Sequence, residues 1–467
     1  MQLRRLPWRF ARLVLLLCVV SPLLIYTAGY LSFRSVKQSP GNGLARDTDN
    51  HATNKQSQIP GGTTESASLK APLVLSTDQQ YQNLQKIRSP APGTNDKDGL
   101  GATTAPVYSS RIHAFYYPWY ASPAIEGKYL HWNHRILPFW GDKEAVKKPP
   151  HYHTPPGDIG AQFYPQLGIY SSRSLAVISA HMKQMKAAGV GVAAVSWYPP
   201  KLADDNGKPS DDVIPMLLKA GHEHGVSIAF HLEPYEPRSA KDVYNDLKYI
   251  IDTYGQHPAF YRTRLSAGTP SRPIVYAYDS YKIPTDQWKA LLTEGGAMSI
   301  RASKYDCLMV GLVVNKNDLE KLHAAGFDGS YTYFASKTFT FGSNPENWKW
   351  LNELSAKLNM LFIPSIGPGY DDTAIRPWNA DTRQVRAGGK YYRDMISAVL
   401  ELDIEAISIT SFNEWGEGTQ IESAVPYTFI NPHGSNRVYS DYQPLAPDGY
   451  LKITKEDLNH FVPARLF

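Results

Sequence analysis

The stretch Ala406-Ile407-Ser408-Ile409-Thr410-Ser411-Phe412-Asn413-Glu414-Trp415-Gly416-Glu417-Gly418 runs from apolar, β-branched residues into two carboxylates, an indole and two glycines. Its first half reads as a short buried strand, and the glycines mark where the strand gives way to a turn. Reacting groups of barrel enzymes sit where strands stop and loops begin, so a strand that stops at two acids points to the mouth of a barrel. Glu414 and Glu417 are the candidate catalytic residues.

Outward from this stretch, strand-like and helix-like runs alternate back to residue 112. Strands are expected over 112–117, 190–197, 226–231, 273–279, 307–314, 329–334, 361–366 and 406–412. Between them, helical periodicity spans 174–188, 214–224, 241–254, 285–292, 317–325, 345–358 and 390–402. In the first helix Leu175, Ile178, Met182 and Met185 recur at spacings of three and four, as one buried face requires. Gly189, Gly225, Gly255 and Gly326 each follow a helix, where a C-terminal cap wants a residue tolerant of positive φ. Such alternation predicts an α/β fold of the (β/α)8 TIM-barrel type. A doubly wound open sheet is the alternative, but no Gly-x-Gly-x-x-Gly follows the first strand to cradle a dinucleotide. The connection 118–172 is unusually long and holds Tyr129, His131, Trp132, His134, Trp140, His151 and His153. Leaving the end of the first strand, it should lie over the barrel mouth, where long ordered loops carry function.

Ahead of the barrel the composition changes twice. Residues 13–33 are uncharged and mostly apolar, about the 20 residues a helix needs to cross a bilayer. Arg4, Arg5, Arg9 and Arg12 precede them, which predicts a type II signal anchor with a cytoplasmic tail at 1–12 and everything beyond the span lumenal. A cleaved signal peptide is the competing reading, although its apolar core is usually shorter. Residues 34–106, rich in Ser, Gly, Pro, Asn, Gln and Thr, read as a flexible stem with a short helix near 79–87. The domain at 107–467 is then the lumenal one. Of the 2 cysteines, Cys18 lies in the span, so Cys307 has no intramolecular partner. No Asn-x-Ser/Thr acceptor occurs. The net charge of +5 comes with no long Lys/Arg tract, which argues against a nucleic-acid partner.

Aromatic residues make up 12% of the chain, including 30 Tyr and 10 Trp, and many fall at predicted strand ends. Tyr116 and Tyr117 end the first strand, Trp197 the second, and His231, Glu233 and Tyr235 the third. Tyr278 and Asp279 end the fourth, Tyr333 the sixth, and Asn413 leads into the acids of the eighth. Flat rings suit sugar faces, and with no cofactor fingerprint in the chain this ring of aromatics and acids is what cleaving an oligosaccharide would use. Core filling is the bland reading of any single ring. Glycoside hydrolysis needs one carboxyl to protonate the leaving oxygen and a second to act as base or nucleophile. Acids three apart lie on opposite sides of a flat strand but converge where the chain turns, as Gly416 and Gly418 suggest. Acids favoured at a helix N-terminus are the alternative. His131, His134, His151 and His153 lack zinc-site spacing, so neither metal nor cofactor is expected. Asp204, Asp205, Asp211 and Asp212 flank Asn206-Gly207 in a loop and read as solvated. Glu422 reads as structural, though close enough to the pair to tune it.

Several motifs resemble glycoside hydrolase family 99: Phe115-Tyr116-Tyr117, Lys128-Tyr129-Leu130-His131-Trp132-Asn133-His134, Ser196-Trp197-Tyr198-Pro199-Pro200, His231-Leu232-Glu233-Pro234-Tyr235, Gly326-Phe327-Asp328-Gly329, Ile375-Arg376-Pro377-Trp378-Asn379 and Ser411-Phe412-Asn413-Glu414-Trp415. The resemblance covers nearly the whole predicted lumenal domain. It implies a Golgi enzyme that cuts the α-1,2 bond between mannoses of a glucosylated high-mannose N-glycan and releases a glucosylated mannose with retention. It also implies that Glu414 acts as base on the substrate's own 2-hydroxyl, forming a 1,2-anhydro sugar. Glu417 would protonate the departing oxygen and then activate water. Spacing alone would have made one acid a nucleophile. Tyr117, Trp132, Trp197, His231, Tyr278 and Tyr333 fall on motif positions implied to contact sugar. One departure is Gly416, where the family commonly has His. A barrel that binds mannose-rich glycans without turnover is the rival expectation.

Overall fold

The fold is seen in a computed structural model that describes residues 109–139, 150–265, 268–431, 434, 436–459 and 461. The predicted anchor, stem and helix at 79–87 lie outside the described residues. Among the described residues no helix is long and apolar enough to cross a membrane.

Eight parallel strands form the centre: β1 (Ser109–Tyr116), β2 (Val190–Trp197), β3 (Ser227–Leu232), β4 (Arg272–Ala277), β5 (Leu308–Leu312), β6 (Gly329–Tyr331), β7 (Leu361–Ile363, resuming at Ser365–Ile366) and β8 (Ile407–Ile409). Each is bonded to the next, and β8 returns to pair with β1, placing Ile112 opposite Ile407 and Ala114 opposite Ile409. The barrel closes through a broken strand. Pro364 has no N–H to give, so the first part of β7 pairs with β6 and the second with β8. The Pro364 carbonyl still accepts from the Ser408 N–H at 3.0 Å.

A helix follows every strand: α1 (Leu175–Ala187), α2 (Ile214–His224), α3 (Ala240–Tyr254), α4 (Thr285–Leu292), α5 (Asp318–Ala325), α6 (Trp348–Lys357), α7 (Lys390–Leu400) and α8 (Gly449–Leu458). Sequence periodicity did not single out α8, which packs against both α7 and α1 and completes the outer ring. Local signals explain the boundaries. Ser239 and Asp242 form a reciprocal capping box at the start of α3. Gly225 and Gly326 end α2 and α5 at φ of 74° and 87°. Gly255 departs from the expectation: its φ is −63°, and what it provides is room, since a Cβ would sit 2.4 Å from the Ile251 carbonyl.

β2 is buried along its whole length, because helices cover one face and the barrel interior the other. That interior is aromatic. Phe115 lies 4.7 Å from the His231 ring, 5.4 Å from Tyr276 and 5.7 Å from Tyr331. Below them burial pushes His113 down to about 4, leaving it neutral against the Tyr276 hydroxyl at 2.5 Å. Part of the aromatic excess in the sequence is therefore core. Strands β4 and β6 stop two and three residues earlier than expected. Asp279 and Tyr333 stand past those ends at φ of 50° and 57°, left-handed conformations that a ladder cannot hold.

Candidate active site

Past β8 the chain makes a tight loop that turns Asn413 and Trp415 inward and both acids toward one cleft. Asn413 acts as a surrogate strand residue: its Oδ1 accepts from the Tyr117 N–H at 2.7 Å and its Nδ2 donates to the Tyr117 carbonyl at 3.0 Å. The Tyr120 hydroxyl donates to the Asn413 carbonyl at 3.1 Å and accepts from the Trp415 N–H at 3.0 Å. Glu414 is anchored through its N–H to Ser411 Oγ at 2.8 Å, and Ser411 N–H closes the loop on the Thr419 carbonyl at 2.8 Å. Trp415 turns inward, its indole donating to Glu422 at 3.0 Å. The flanking acids turn outward, and Glu414, Gly416 and Glu417 line one cleft of about 600 Å³ with Trp119, Tyr198 and Tyr235.

The glycines do separate jobs. Gly418 has φ of 62° and lies so close to the Asp371 carbonyl that a Cβ would approach to 2.8 Å, so both torsion and space demand glycine. At Gly416 a Cβ would stand 3.0 Å from Glu414 Oε1, so the glycine leaves that carboxyl uncovered while its N–H donates to it at 2.9 Å.

Burial dominates the electrostatics. Glu414 is 6% exposed, and desolvation, reinforced by the neighbouring Glu417 charge, holds its carboxyl well above the ordinary range against the pull of the Gly416 and Glu417 N–H groups and Arg376. Glu417 is pushed up to about 7, again chiefly by burial, with Arg376 opposing and Asp372 and Glu233 adding to the rise. Arg376 lies 3.7 Å from Glu417 and 3.0 Å from Asp372, a fully buried carboxylate that also accepts from the Tyr370 hydroxyl at 2.8 Å. Two adjacent carboxyls cannot both ionise cheaply, so near neutral pH the pair shares one proton.

A stability consequence follows. A carboxyl whose folded pKa is raised contributes stability that is complete below its unfolded value and lost as pH rises through the folded one, here between 4.5 and about 7. Glu417→Gln is therefore expected to stabilise the fold at pH 8 by about 2 kcal/mol, discounted for the partial exposure of the side chain, with no gain at pH 4. Urea denaturation at the two pH values checks this, and an equal effect at both would contradict it.

The other expected site residues fall into two groups. Around the acids, the Tyr117 and Tyr333 hydroxyls bond to one another, and Tyr278 packs 4.8 Å from the Tyr333 ring. His231 Nε2 is 2.9 Å from the Tyr331 hydroxyl and its Nδ1 lies 3.2 Å from Glu233 without the geometry of a hydrogen bond. Tyr235 lines the cleft and donates to Asp246 at 2.6 Å, where burial raises that acid to about 6. Asp279 is buried and held by Lys282 at 2.8 Å.

Tyr116, Trp132 and Trp197 lie in the interior instead. Tyr116 donates to His181 Nδ1 at 3.0 Å, Trp132 to the Tyr170 carbonyl at 2.8 Å and Trp197 to Asp211 at 2.7 Å. Tyr116 and Trp197 end strands whose successive residues point to opposite faces, and Trp132 is turned inward by the long first loop. The expectation of solvated aspartates needs correcting for two of the four, Asp204 and Asp211. Asp211 also accepts from the Tyr249 and Tyr254 hydroxyls at 2.6 and 2.9 Å and Asp204 lies 3.3 Å from His131, whereas Asp212 stays exposed while pairing with Arg173 at 2.7 Å. The indole of Trp197 needs an acceptor behind the barrel wall, and Asp211 supplies it.

The sequence sets Trp119 and Tyr198 at the strand ends that ring the mouth without marking either as a site residue, and it gives no site role to Arg376. Trp119 stacks on His131 at 4.2 Å and 6°, and His134 Nε2 meets Asn206 at 2.9 Å, joining the long first loop to the loop after β2 along the cleft. The length of that first loop was the available signal. Among the described residues no three His, Cys, Asp or Glu side chains converge as a metal site would require.

Aromatic walls fit sugar rings, and a proton shared between two carboxyls fits cleavage of an acetal, which puts the protein among the glycoside hydrolases. Comparison with known proteins gives the branch. Residues 107–462 match the sequence profile of glycosyl hydrolase family 99, and the chain belongs to that family. It is 48% identical over 350 residues to the glycoprotein endo-alpha-1,2-mannosidase-like protein of Danio rerio, covering 75% of this chain and 78% of the relative. It is 47% identical over 377 residues to the glycoprotein endo-alpha-1,2-mannosidase of Rattus norvegicus, covering 78% and 80%. The fold matches the GH99 endo-alpha-mannosidase from Bacteroides thetaiotaomicron with a TM-score of 0.69 at 40% identity, over 76% of this chain and 98% of that one.

Proposed function

We propose that the protein is a retaining endo-α-1,2-mannosidase that cleaves glucosylated high-mannose N-glycans and releases a glucosyl-mannose disaccharide. The observation that carries the reading is the unlike environment of two coupled carboxyls, one deeply buried and one 27% exposed beside Arg376. The names of the relatives supply the linkage.

The first step proceeds from the less favoured distribution, with the shared proton on Glu417: Glu414, ionised, takes the proton of the mannose 2-hydroxyl as O2 attacks C1 and the C1–O bond to the leaving sugar breaks. Glu417 gives its proton to that departing oxygen. Glu414 is then protonated and Glu417 ionised, the distribution that the surrounding field favours, since Arg376 steadies charge on Glu417 and burial disfavours it on Glu414. In the second step water attacks C1, Glu417 removes its proton and Glu414 returns one to O2 as the three-membered ring opens. Both acids regain their starting states, and two inversions at C1 give net retention.

The test is incubation of the full-length protein with a monoglucosylated high-mannose glycan, following released disaccharide and its anomeric proton by NMR. Release of the α-anomer is expected. Binding without release would overturn the reading in favour of a glycan-binding barrel.

The same proposal includes a single-pass type II Golgi membrane location with the barrel lumenal, supported by the apolar run at 13–33 behind four arginines. In sealed Golgi vesicles the domain should resist added protease until detergent is present; cleavage without detergent would reverse the orientation.

A further inference from the structure

We infer that Arg386 is a positioning residue for Glu417, an inference that rests on the two-carboxylate chemistry proposed above. Arg386 precedes the turn Ala387–Gly389 that leads into α7. Its Nη2 donates at 2.8 Å to the carbonyls of both Gly418 and Gln420. These belong to the return limb of the loop, immediately after Glu417. The carbonyls around them are tied as well: that of Glu417 accepts from the Asp371 N–H at 2.9 Å, that of Thr419 from Ser411 at 2.8 Å, and that of Glu422 from the Tyr442 hydroxyl at 2.8 Å. Arg386 contributes the charge-assisted ties in this series, and such bonds are the stronger kind.

The guanidinium is itself confined. Its centre lies 4.5 Å from the Phe163 ring, 4.9 Å from Tyr442 and 4.6 Å from Tyr450, rings contributed by the long first loop, the segment after β8 and α8. A planar cation can present faces to rings and edges to carbonyls at once, which an ammonium cannot do. Arg386 lines a separate pocket of about 220 Å³ that also includes Gly418 and does not include Glu414 or Glu417. It therefore acts on the acid through the loop and does not touch the sugar in the cleft.

The groups that face Glu417 itself are Glu414, Arg376, Asp372, Glu233 and the tyrosines Tyr117, Tyr278, Tyr333 and Tyr370, and substitution of Arg386 leaves all of them in place. In the full-length protein, Arg386→Ala and Arg386→Lys are expected to lower kcat about 100-fold while KM stays within about twofold, as displacement of a reacting group by an ångström would do. Low concentrations of guanidinium ion should restore part of the activity of Arg386→Ala and none to the lysine variant. The Glu417 carboxyl, followed by carbon-13 NMR and assigned by its loss in Glu417→Gln, should titrate lower than in the parent, because a loosened loop admits water. A purely structural arginine would lower the melting temperature but leave kcat of the folded fraction, the pH profile and the Glu417 titration unchanged, and that result overturns the inference. Should the parent cleave nothing, the proposed activity fails, while the titration still decides Arg386: a downward shift supports the positioning role and an unmoved one sinks it.

Discussion

Glu414→Gln and Glu417→Gln are each expected to lower kcat/KM on the natural glycan by about 10³-fold or more, because each removes a proton transfer on which the first step depends. Both replacements are nearly isosteric, so neither opens a cavity. The two should part company on a substrate whose leaving group is an acidic phenol. Such a group departs without protonation, so Glu417→Gln should form the intermediate at a rate close to that of the parent and then stall, giving a burst. Glu414→Gln should show no burst, since the 2-hydroxyl still has to lose its proton. The opposite pattern would exchange the roles, and parental rates in both variants would remove the pair from the mechanism altogether.

The second large effect concerns the floor beneath the site. Glu422 is wholly buried and accepts from the Trp415 indole at 3.0 Å, the Tyr170 hydroxyl at 2.8 Å and His181 Nε2 at 3.0 Å. His181 in turn accepts from Tyr116, so the chain of donors runs from β1 to the catalytic loop. Glu422→Ala strands the buried Tyr170 and His181 donors and leaves the Trp415 indole only its 3.1 Å bond to the Tyr170 hydroxyl, and breaking a buried network of this kind costs about 3–5 kcal/mol. Glu422→Gln keeps one acceptor oxygen but turns an amide N–H₂ toward a donor, so its cost should fall between alanine and parent. Equilibrium urea denaturation measures both. A cost below about 1 kcal/mol for the alanine variant would show that water replaces the carboxylate and that the network does not hold the loop.

Much of the barrel was legible because its strands are short apolar runs and several of its helices stop at glycines with positive φ. The ends were harder. Residues such as Tyr333 have strand-like composition yet sit past the last ladder bond, and only the paired neighbour decides where a ladder stops. The acids were legible from Gly416 and Gly418, which signal the turn that brings both to one side. The aromatics were not separable by type. Tyr116 and Tyr117 are chemically identical neighbours, yet one bonds to His181 in the core and the other to Tyr333 beside the acids. Pleat phase decides that, and a shift of one residue would exchange them. Trp119 and His131 meet only because of the fold of a long loop, and no local pattern encodes their stacking.

The surrogate pairing of Asn413 with Tyr117 also dictates the order of events during synthesis. The first strand leaves the ribosome long before its eighth neighbour exists, and until residues 407–409 arrive one edge of β1 has no partner. Closing that edge and seating Asn413 are successive contacts of one seam, and Glu414 is the next residue along. A nascent or truncated chain thus holds no working pair of acids, and the barrel acquires its chemistry in the same act that seals it.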